Sequence, residues 1–438
     1  MTSHDIAPAV VFRAYVYAVD PTPHQIAILR SHVGGSRFAY NALLELVKDN
    51  WDENDAKKRA GFDLAKDDLI DTSHFSLLYL WAELRDELAP WWSENGSSTY
   101  NDAAKRLSAA MANFRKGRSE FPSFKRKGQG GSVRFMGRVV RLKDSHHLRI
   151  ARVGEVKTYE SMRKLYRHLE RGTGRIVAAT VSERSGKWRV SFTVQVTRDI
   201  PETRPPERII GVDVGIANLY TGATPDGEQI LQVANPRHFQ CAEKKLAHAQ
   251  RIASRREGPK KGVDPSKRWR KANTRVRNIH TDVRNARSNL IHETTSYLAK
   301  NHDVIVIENL NVAGLVKNHV LAKHISNAAW GEFARQLEYK TKWYGSTLVR
   351  VDRFYPSTKT CSRCGTVKAT LSLDQRTYEC RTCGLTLGRD HNAAINLARM
   401  GLPGTSSGTG RGGEVSPGCF GTLVHPGEAS TEALFIGA

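Results

Sequence analysis

Ile209-Ile210-Gly211-Val212-Asp213-Val214-Gly215 is the stretch on which the fold turns. Its apolar, β-branched run is too short for a helix and reads as a buried strand with one carboxylate, Asp213, near its end. Val304-Ile305-Val306-Ile307-Glu308 repeats the pattern, a second buried strand that ends on a carboxylate. Between them Pro225-Asp226-Gly227 turns a hairpin, and residues 241–300 are helical in pattern, interrupted from Gly258 to Ser266. Helical sequence around 322–344 and a strand near Thr347–Val351 follow, then a short helix from His391 to Met400 with Asp390 at its start. Strands alternating with helices predict an α/β domain.

Upstream, Pro201 to Pro206 (P-E-T-R-P-P) reads as a linker, and the pattern before it is different. Val10 to Val19 is β-prone throughout and stops at Asp20-Pro21. Thr22-Pro23-His24-Gln25 then has the form of a helix start: Thr caps, Pro takes the first helical position, and Gln closes a capping box. Helix is expected to about residue 50 with a break at Gly34-Gly35, and again over 55–117 with a break at Pro90. Segments 132–142 and 147–153 are β-like. Ile176–Val181 and Trp188–Val196 form a hairpin through Ser185-Gly186, its second strand alternating Trp188, Val190, Phe192, Val194 and Val196. A β unit carrying an inserted helical segment is the expected arrangement, and most of these residues read as plain scaffold.

The whole chain has 438 residues, which at about 100–200 per domain means two to four domains. Charged residues make up 25% and hydrophobic ones 39%, a balance that excludes a wholly disordered chain. No apolar run is long enough to span a bilayer, and the first residues lack a secretory pattern, so the cytosol is expected and no membrane partner. Charge is the outlier: 67 Lys and Arg against 44 Asp and Glu leave +23. A chain that positive repels itself unless a polyanion neutralises it, and nucleic acid is the default partner. Residues 241–290 hold 15 Lys/Arg against 4 Asp/Glu, nearly half of the excess. In their second half Val276, Ile279, Val283, Ala286 and Leu290 recur at helical spacing, so one face is turned to a core and the others are basic. A solvated helix normally intersperses both signs. Candidate phosphate contacts are therefore Arg268, Arg270, Lys271, Arg275, Arg277, Arg284 and Arg287, together with Lys125, Arg126 and Lys127 of a second basic run.

Cys361-x2-Cys364-x15-Cys380-x2-Cys383 supplies two tight knuckles, each followed by glycine, that can point four thiolates at one ion. Four thiolates close the coordination shell, so the metal is structural; zinc is expected, with an iron–sulfur centre as the alternative. The acids Asp213, Glu308 and Asp390 are the other candidates. A lone aspartate at a strand end is most often a turn residue. Three acids in this order, in a basic protein, would repel a phosphate backbone unless divalent cations intervened. Two Mg2+ ions about 4 Å apart would resolve this, one activating water and the other stabilising the leaving oxygen of a phosphodiester.

Gly211 to Gly215, Ile307-Glu308-Asn309-Leu310, the cysteine knuckles opened by Tyr355-Pro356-Ser357-Thr358-Lys359-Thr360-Cys361, and Gly388-Arg389-Asp390-His391-Asn392-Ala393-Ala394 resemble the split RuvC nuclease domain of the TnpB family. These proteins are transposon-associated relatives of the type V CRISPR effectors. Phe121-Pro122-Ser123-Phe124-Lys125 and Arg37-Phe38-Ala39-Tyr40-Asn41 also resemble family segments, so the resemblance covers roughly residues 10–402.

The resemblance implies an RNA-guided DNA endonuclease with a ribonuclease H-like (RuvC) domain over 206–355 and 389–402. A four-cysteine zinc module over 356–388 would be inserted in it. A β-barrel-like wedge, 1–35 and 120–205, would grip guide RNA and carry a helical recognition lobe, 36–119. On the matching positions Asp213, Glu308 and Asp390 would be the metal-binding catalytic triad, and helix 267–300 would reach toward the guide–target duplex. The partners implied are a guide RNA and double-stranded target DNA next to a short motif read by protein, and a monomer is expected. Residues 403–438, rich in Gly, Ser, Thr and Pro, are expected to be disordered. Two alternatives stay open: a guided repressor that does not cleave, and an unguided transposase or junction nuclease of the same fold.

Overall fold

A computed structural model describes residues 7–63, 68–127, 131–184, 186–260, 263–372 and 375–403. The expected turn residue Ser185 and the tail from 404 onward lie outside them. Two compact units are present, Pro8–Arg198 and the chain from Asp199 onward. No described helix is long and apolar enough to cross a membrane.

In the first unit, β1 (Ala7–Asp20) leads into α1 (Pro23–Arg59), then α2 (His74–Leu88) and α3 (Ser97–Arg115). The remaining elements are β2 (Gly131–Met136), β3 (Val140–Leu142), β4 (His147–Ile150), β5 (Gly154–Thr158), α4 (Arg163–Glu170), β6 (Gly174–Arg184) and β7 (Lys187–Ile200). The strands make one sheet in the order β2-β6-β7-β1-β5-β4-β3. Its edges, β2 and β3, are joined only by Gly137–Val139. Four Cα steps reach at most ~15 Å, whereas a flat sheet of this width would separate its edges by about 29 Å. The sheet must therefore curl toward closure. Gly137 sits at the seam, where a Cβ would lie 1.9 Å from the Ile176 carbonyl oxygen. Trp188, Val190, Phe192, Val194 and Val196 all face the curled interior and are buried, as their alternation predicts.

The expected capping box is formed: Thr22 Oγ1 accepts from Gln25 N at 3.3 Å, and Gln25 Oε1 accepts from Thr22 N at 2.9 Å. The expected break at Gly34-Gly35 is absent, and α1 runs through it. Gly35 is used for close approach instead, since a Cβ there would come within 3.1 Å of Asn95 Nδ2. Burial of Ala39, Leu43 and Leu44 against Leu77, Trp81 and Leu107 offsets the low helix propensity of the glycines. Strand β5 and helix α4 were not anticipated by the pattern.

In the second unit, β8 (Ile209–Val214), β9 (Asn218–Ala223) and β10 (Gln229–Ala234) precede α5 (His238–Ser254) and α6 (Lys267–Asn301). Then come β11 (Val304–Glu308), α7 (Val312–Leu315), α8 (Ala322–Ala328), α9 (Trp330–Tyr344), β12 (Thr347–Val351), β13 (Thr377–Glu379), β14 (Thr386–Gly388) and α10 (Arg389–Arg399). Five strands form a sheet in the order β10-β9-β8-β11-β12. The first three pair antiparallel, while β8, β11 and β12 run parallel. Both faces are covered, which is why the central strands are apolar without alternation. Ile210, Val212, Ile305 and Ile307 pack with Ile291, Leu298, Phe333 and Leu337 of α6 and α9. Ile209, Val304 and Val306 pack on the other face with Leu397 of α10.

Candidate functional site

Parallel pairing sets the acids side by side. Ile307 registers with Val212, so the next residues, Glu308 and Asp213, sit level at the carboxyl ends of neighbouring strands and on one face. That face is the one covered by α10. Helix backbone meets strand backbone there: a Cβ on Gly211 would lie 2.2 Å from both Ala394 O and Ala398 N. Only glycine allows this approach. Because α10 is pressed onto β8, its first turn arrives at the strand end, and a Cβ on Gly215 would lie 3.9 Å from Asp390 Oδ2. Gly211 thus makes the room that lets α10 bring Asp390 to the strand end, whereas a side chain at Gly215 is excluded by Asn218 O, 2.6 Å from its Cβ.

Asp213 is buried, and desolvation pushes its carboxyl well above the ordinary range; Glu308 and then Asp390 push it further, and Arg389 partly offsets them. Beyond burial, the shift records the negative charge gathered around Asp213 by its two acidic neighbours. The cluster's donors are carboxylate oxygens, the hard ligands that Mg2+ prefers. The four cysteines alone form a compact ligand set, all within 4.8 Å of one another, among the described residues.

Glu308 is held from below. Ser357, itself buried, donates its hydroxyl to Glu308 Oε1 at 2.5 Å. Asn396 Nδ2 of α10 donates to the carbonyls of Ser357 and Thr360 at 2.8 and 2.7 Å. Asn392, one turn earlier, donates to Thr360 O at 2.7 Å and accepts from Ser362 N at 2.9 Å. Two buried asparagines therefore clamp the strap 357–362 that runs from the acid site into the cysteine knuckles. Sequence reading missed Ser357, Asn392 and Asn396. The available signal was a pair of amides four residues apart on the buried face of a helix, where hydrophobic residues are expected.

The cysteines converge as their spacing predicts. Sγ–Sγ distances are 3.6 Å for Cys361–Cys383 and for Cys364–Cys380, close to the ~3.8 Å edge of a tetrahedron with metal–sulfur bonds of about 2.3 Å. The knuckles repeat one geometry: Gly365 N donates to Cys361 O and Gly384 N to Cys380 O, both at 2.9 Å, with both glycines at positive φ. The four thiols fit one metal ion.

The basic candidates divide. Arg268, Arg270, Lys271, Arg275 and Arg277 are exposed on α6, with Arg270 paired to Asp264 at 3.3 Å. Arg284 and Arg287 are half-buried. Arg287 Nη1 donates to Ser326 O at 3.1 Å, and burial lowers its pKa, so this side chain braces α6 against α8. Val276, Ile279, Val283, Ala286 and Leu290 are only half-buried, a shallower seam than a core face. In the first unit Lys125, Arg126 and Lys127 are exposed, and Asn41 fixes the Lys125 backbone through bonds of 3.0 and 2.8 Å.

Three family profiles match the chain: "Cas12f1-like, TNB domain" over residues 330–397, "Probable transposase" over 191–319, and "Helix-turn-helix domain" over 11–56. The last range here forms β1 and most of α1. A Streptomyces pristinaespiralis protein is 34% identical over 402 residues, covering 91% of this chain and 92% of its own. A Mycobacterium tuberculosis protein is 32% identical over 417 residues, covering 89% and 87%. Both are named as candidate RNA-guided DNA endonucleases. Among solved structures, the cryo-EM Cas12f1–sgRNA–target DNA complex superposes with a TM-score of 0.51 at 12% identity, covering 89% of this chain and 99% of that one.

Proposed function

The chain belongs to the TnpB family of RNA-guided DNA endonucleases, and on that premise we propose that Asp213, Glu308 and Asp390 form its single DNA-cleaving site. One observation carries the reading: two strand-end acids in parallel register, with a third delivered onto them by a helix that packs directly on Gly211. The sheet order β10-β9-β8-β11-β12, an antiparallel β10-β9-β8 followed by β11 and β12 parallel to β8, supports a ribonuclease H-like (RuvC) domain.

The acids would hold two Mg2+ ions, which when bound supply an activated water and charge stabilisation at the departing oxygen of a phosphodiester. Asp213, rigid in the sheet and desolvated, would hold these ions jointly with Glu308 and Asp390. Ser357 would fix the orientation of Glu308, Asn396 would fix Ser357, and Asn392 would fix the strap at Thr360 and Ser362 beyond it. The four cysteines would hold one Zn2+ that stiffens the strap beneath the site.

The curled sheet of the first unit would be the wedge, with its helical insertion as the recognition lobe. A guide RNA would pair with double-stranded DNA beside a short motif read by protein, and the exposed cations of α6 and Lys125–Lys127 would contact phosphates without reading sequence. The working form would be a monomer in the prokaryotic cytosol. Asp213→Asn tests the cleavage site: guided DNA binding should persist and cleavage should vanish, and a variant that still cuts at the wild-type rate refutes the assignment. The "Probable transposase" match favours a second reading, direct unguided action on transposon DNA. A chain that purifies without a discrete co-expressed RNA and cuts without one would favour it.

A further inference from the structure

Lys164, Arg167 and His168 of helix α4 and its C-cap Arg171 stand at positions i, i+3, i+4 and i+7, one continuous basic face. Its other side, with Leu165 and Leu169, packs into the core of the curled sheet. The basic face is turned to Arg13 and Tyr15, which share one side of β1. Together these six residues line a cavity of about 210 Å3, and none of them is acidic. The cations crowd one another: Arg13 and Arg171 add to burial in lowering the pKa of His168. Lys164, Arg167 and Arg171 are exposed around the rim, while the Tyr15 hydroxyl is buried without a hydrogen-bond partner. The Arg13 guanidinium lies 5.5 Å from the Tyr15 ring centroid.

We propose that this cavity is a single-strand RNA site that takes one unstacked nucleotide, its base against Tyr15 and its flanking phosphates on Arg167, Arg171 and Lys164. The proposal deepens the guide-binding reading above and rests on it. A cavity this size cannot admit a duplex, and recognition of single strands combines an aromatic platform with a basic rim. Tyr15 supplies the ring, and the guided reading makes the strand RNA.

The test uses the full chain and a fluorescent oligouridylate, titrated at several salt concentrations, with the matching oligodeoxythymidylate as competitor. The double substitution Arg167→Ala/Arg171→Ala should weaken RNA binding at least about tenfold and make the salt dependence shallower by about 1.4, the loss of two phosphate contacts to a single strand. Tyr15→Leu should also weaken binding about tenfold, and Tyr15→Phe, which keeps the ring, should stay within a few-fold of wild type. Unchanged affinity and salt slope in the double variant overturn the proposal, as does equal binding of the oligodeoxythymidylate. A wild-type chain that binds no RNA overturns the guided reading itself, so the two failures are told apart.

Discussion

Ser357 hands its hydroxyl hydrogen to Glu308 at 2.5 Å while its own carbonyl is held by Asn396 at 2.8 Å, so one buried serine ties a sheet acid to the helix that delivers Asp390. Groups that orient a metal-binding carboxylate typically contribute 10- to 100-fold in affinity or activity, by order of magnitude about tenfold here. Ser357→Ala should therefore slow single-turnover DNA cleavage about tenfold while leaving guided DNA binding unchanged. A wild-type cleavage rate in this variant would show that Glu308 needs no such support.

Gly211 cannot gain a methyl group without moving a helix. Its Cβ would meet Ala394 O and Ala398 N, both backbone atoms, at 2.2 Å. Gly211→Ala should cost about 1–3 kcal/mol or more, read from the denaturation midpoint, and should abolish cleavage as α10 shifts Asp390 off the strand end. Gly331→Ala is the control, because nothing lies within 4 Å of that position. It should be neutral or slightly stabilising. Equal behaviour of the two variants would contradict the close packing of α10 on β8.

Metal content is the next expectation. Wild-type protein should carry one zinc per chain by elemental analysis, and Cys380→Ser should carry none. Four sulfurs within 4.8 Å of one another, two pairs of them 3.6 Å apart, are placed to share one ion. Without the metal the segment 361–383 should become a preferred site of limited proteolysis, while the unit Pro8–Arg198 stays resistant. Cleavage of DNA should fall as well, since Asn392 holds the Thr360 carbonyl and the Ser362 amide on the same strap. Zinc retained by Cys380→Ser would remove that cysteine from the ligand set.

Lys340 gives a pH signature. Its ammonium is buried between α9 and α6 and donates to His292 O, Thr295 Oγ1 and Ser296 Oγ at 2.8, 2.6 and 2.9 Å. Burial lowers its pKa from 10.5 to about 8. Between those two values the unfolded chain binds more protons than the folded one, so this group makes folding more favourable as pH rises from about 8 to about 10.5. Urea midpoints of wild type and Lys340→Met, compared across that range, should diverge in favour of wild type by up to about 3 kcal/mol. A gap that stays constant with pH would mean that the ammonium is not destabilised by its surroundings.

Local chemistry made several elements legible. The runs Ile209–Val214 and Val304–Glu308 became β8 and β11, Thr22 and Gln25 closed the cap of α1, and two C-x2-C pairs converged. Each depends on residues near one another in the chain, or on ligands that have few partners to choose from. The continuity of α1 through Gly34-Gly35 was not legible, because glycine propensity was outweighed by packing against a distant loop. Arg287 looked like a phosphate contact and instead braces α8, since a charge count does not reveal which face of a helix is covered.

By itself the sequence determined which residues could do the chemistry: three acids, four cysteines and an excess of positive charge. Tertiary structure alone decided their meeting. Parallel register aligns Asp213 with Glu308 across 95 positions of chain, and direct backbone contact at Gly211 brings in Asp390 from farther still. No local pattern encodes these distances, because they follow from how strands pair and how closely a helix can lie on a sheet that has a glycine beneath it.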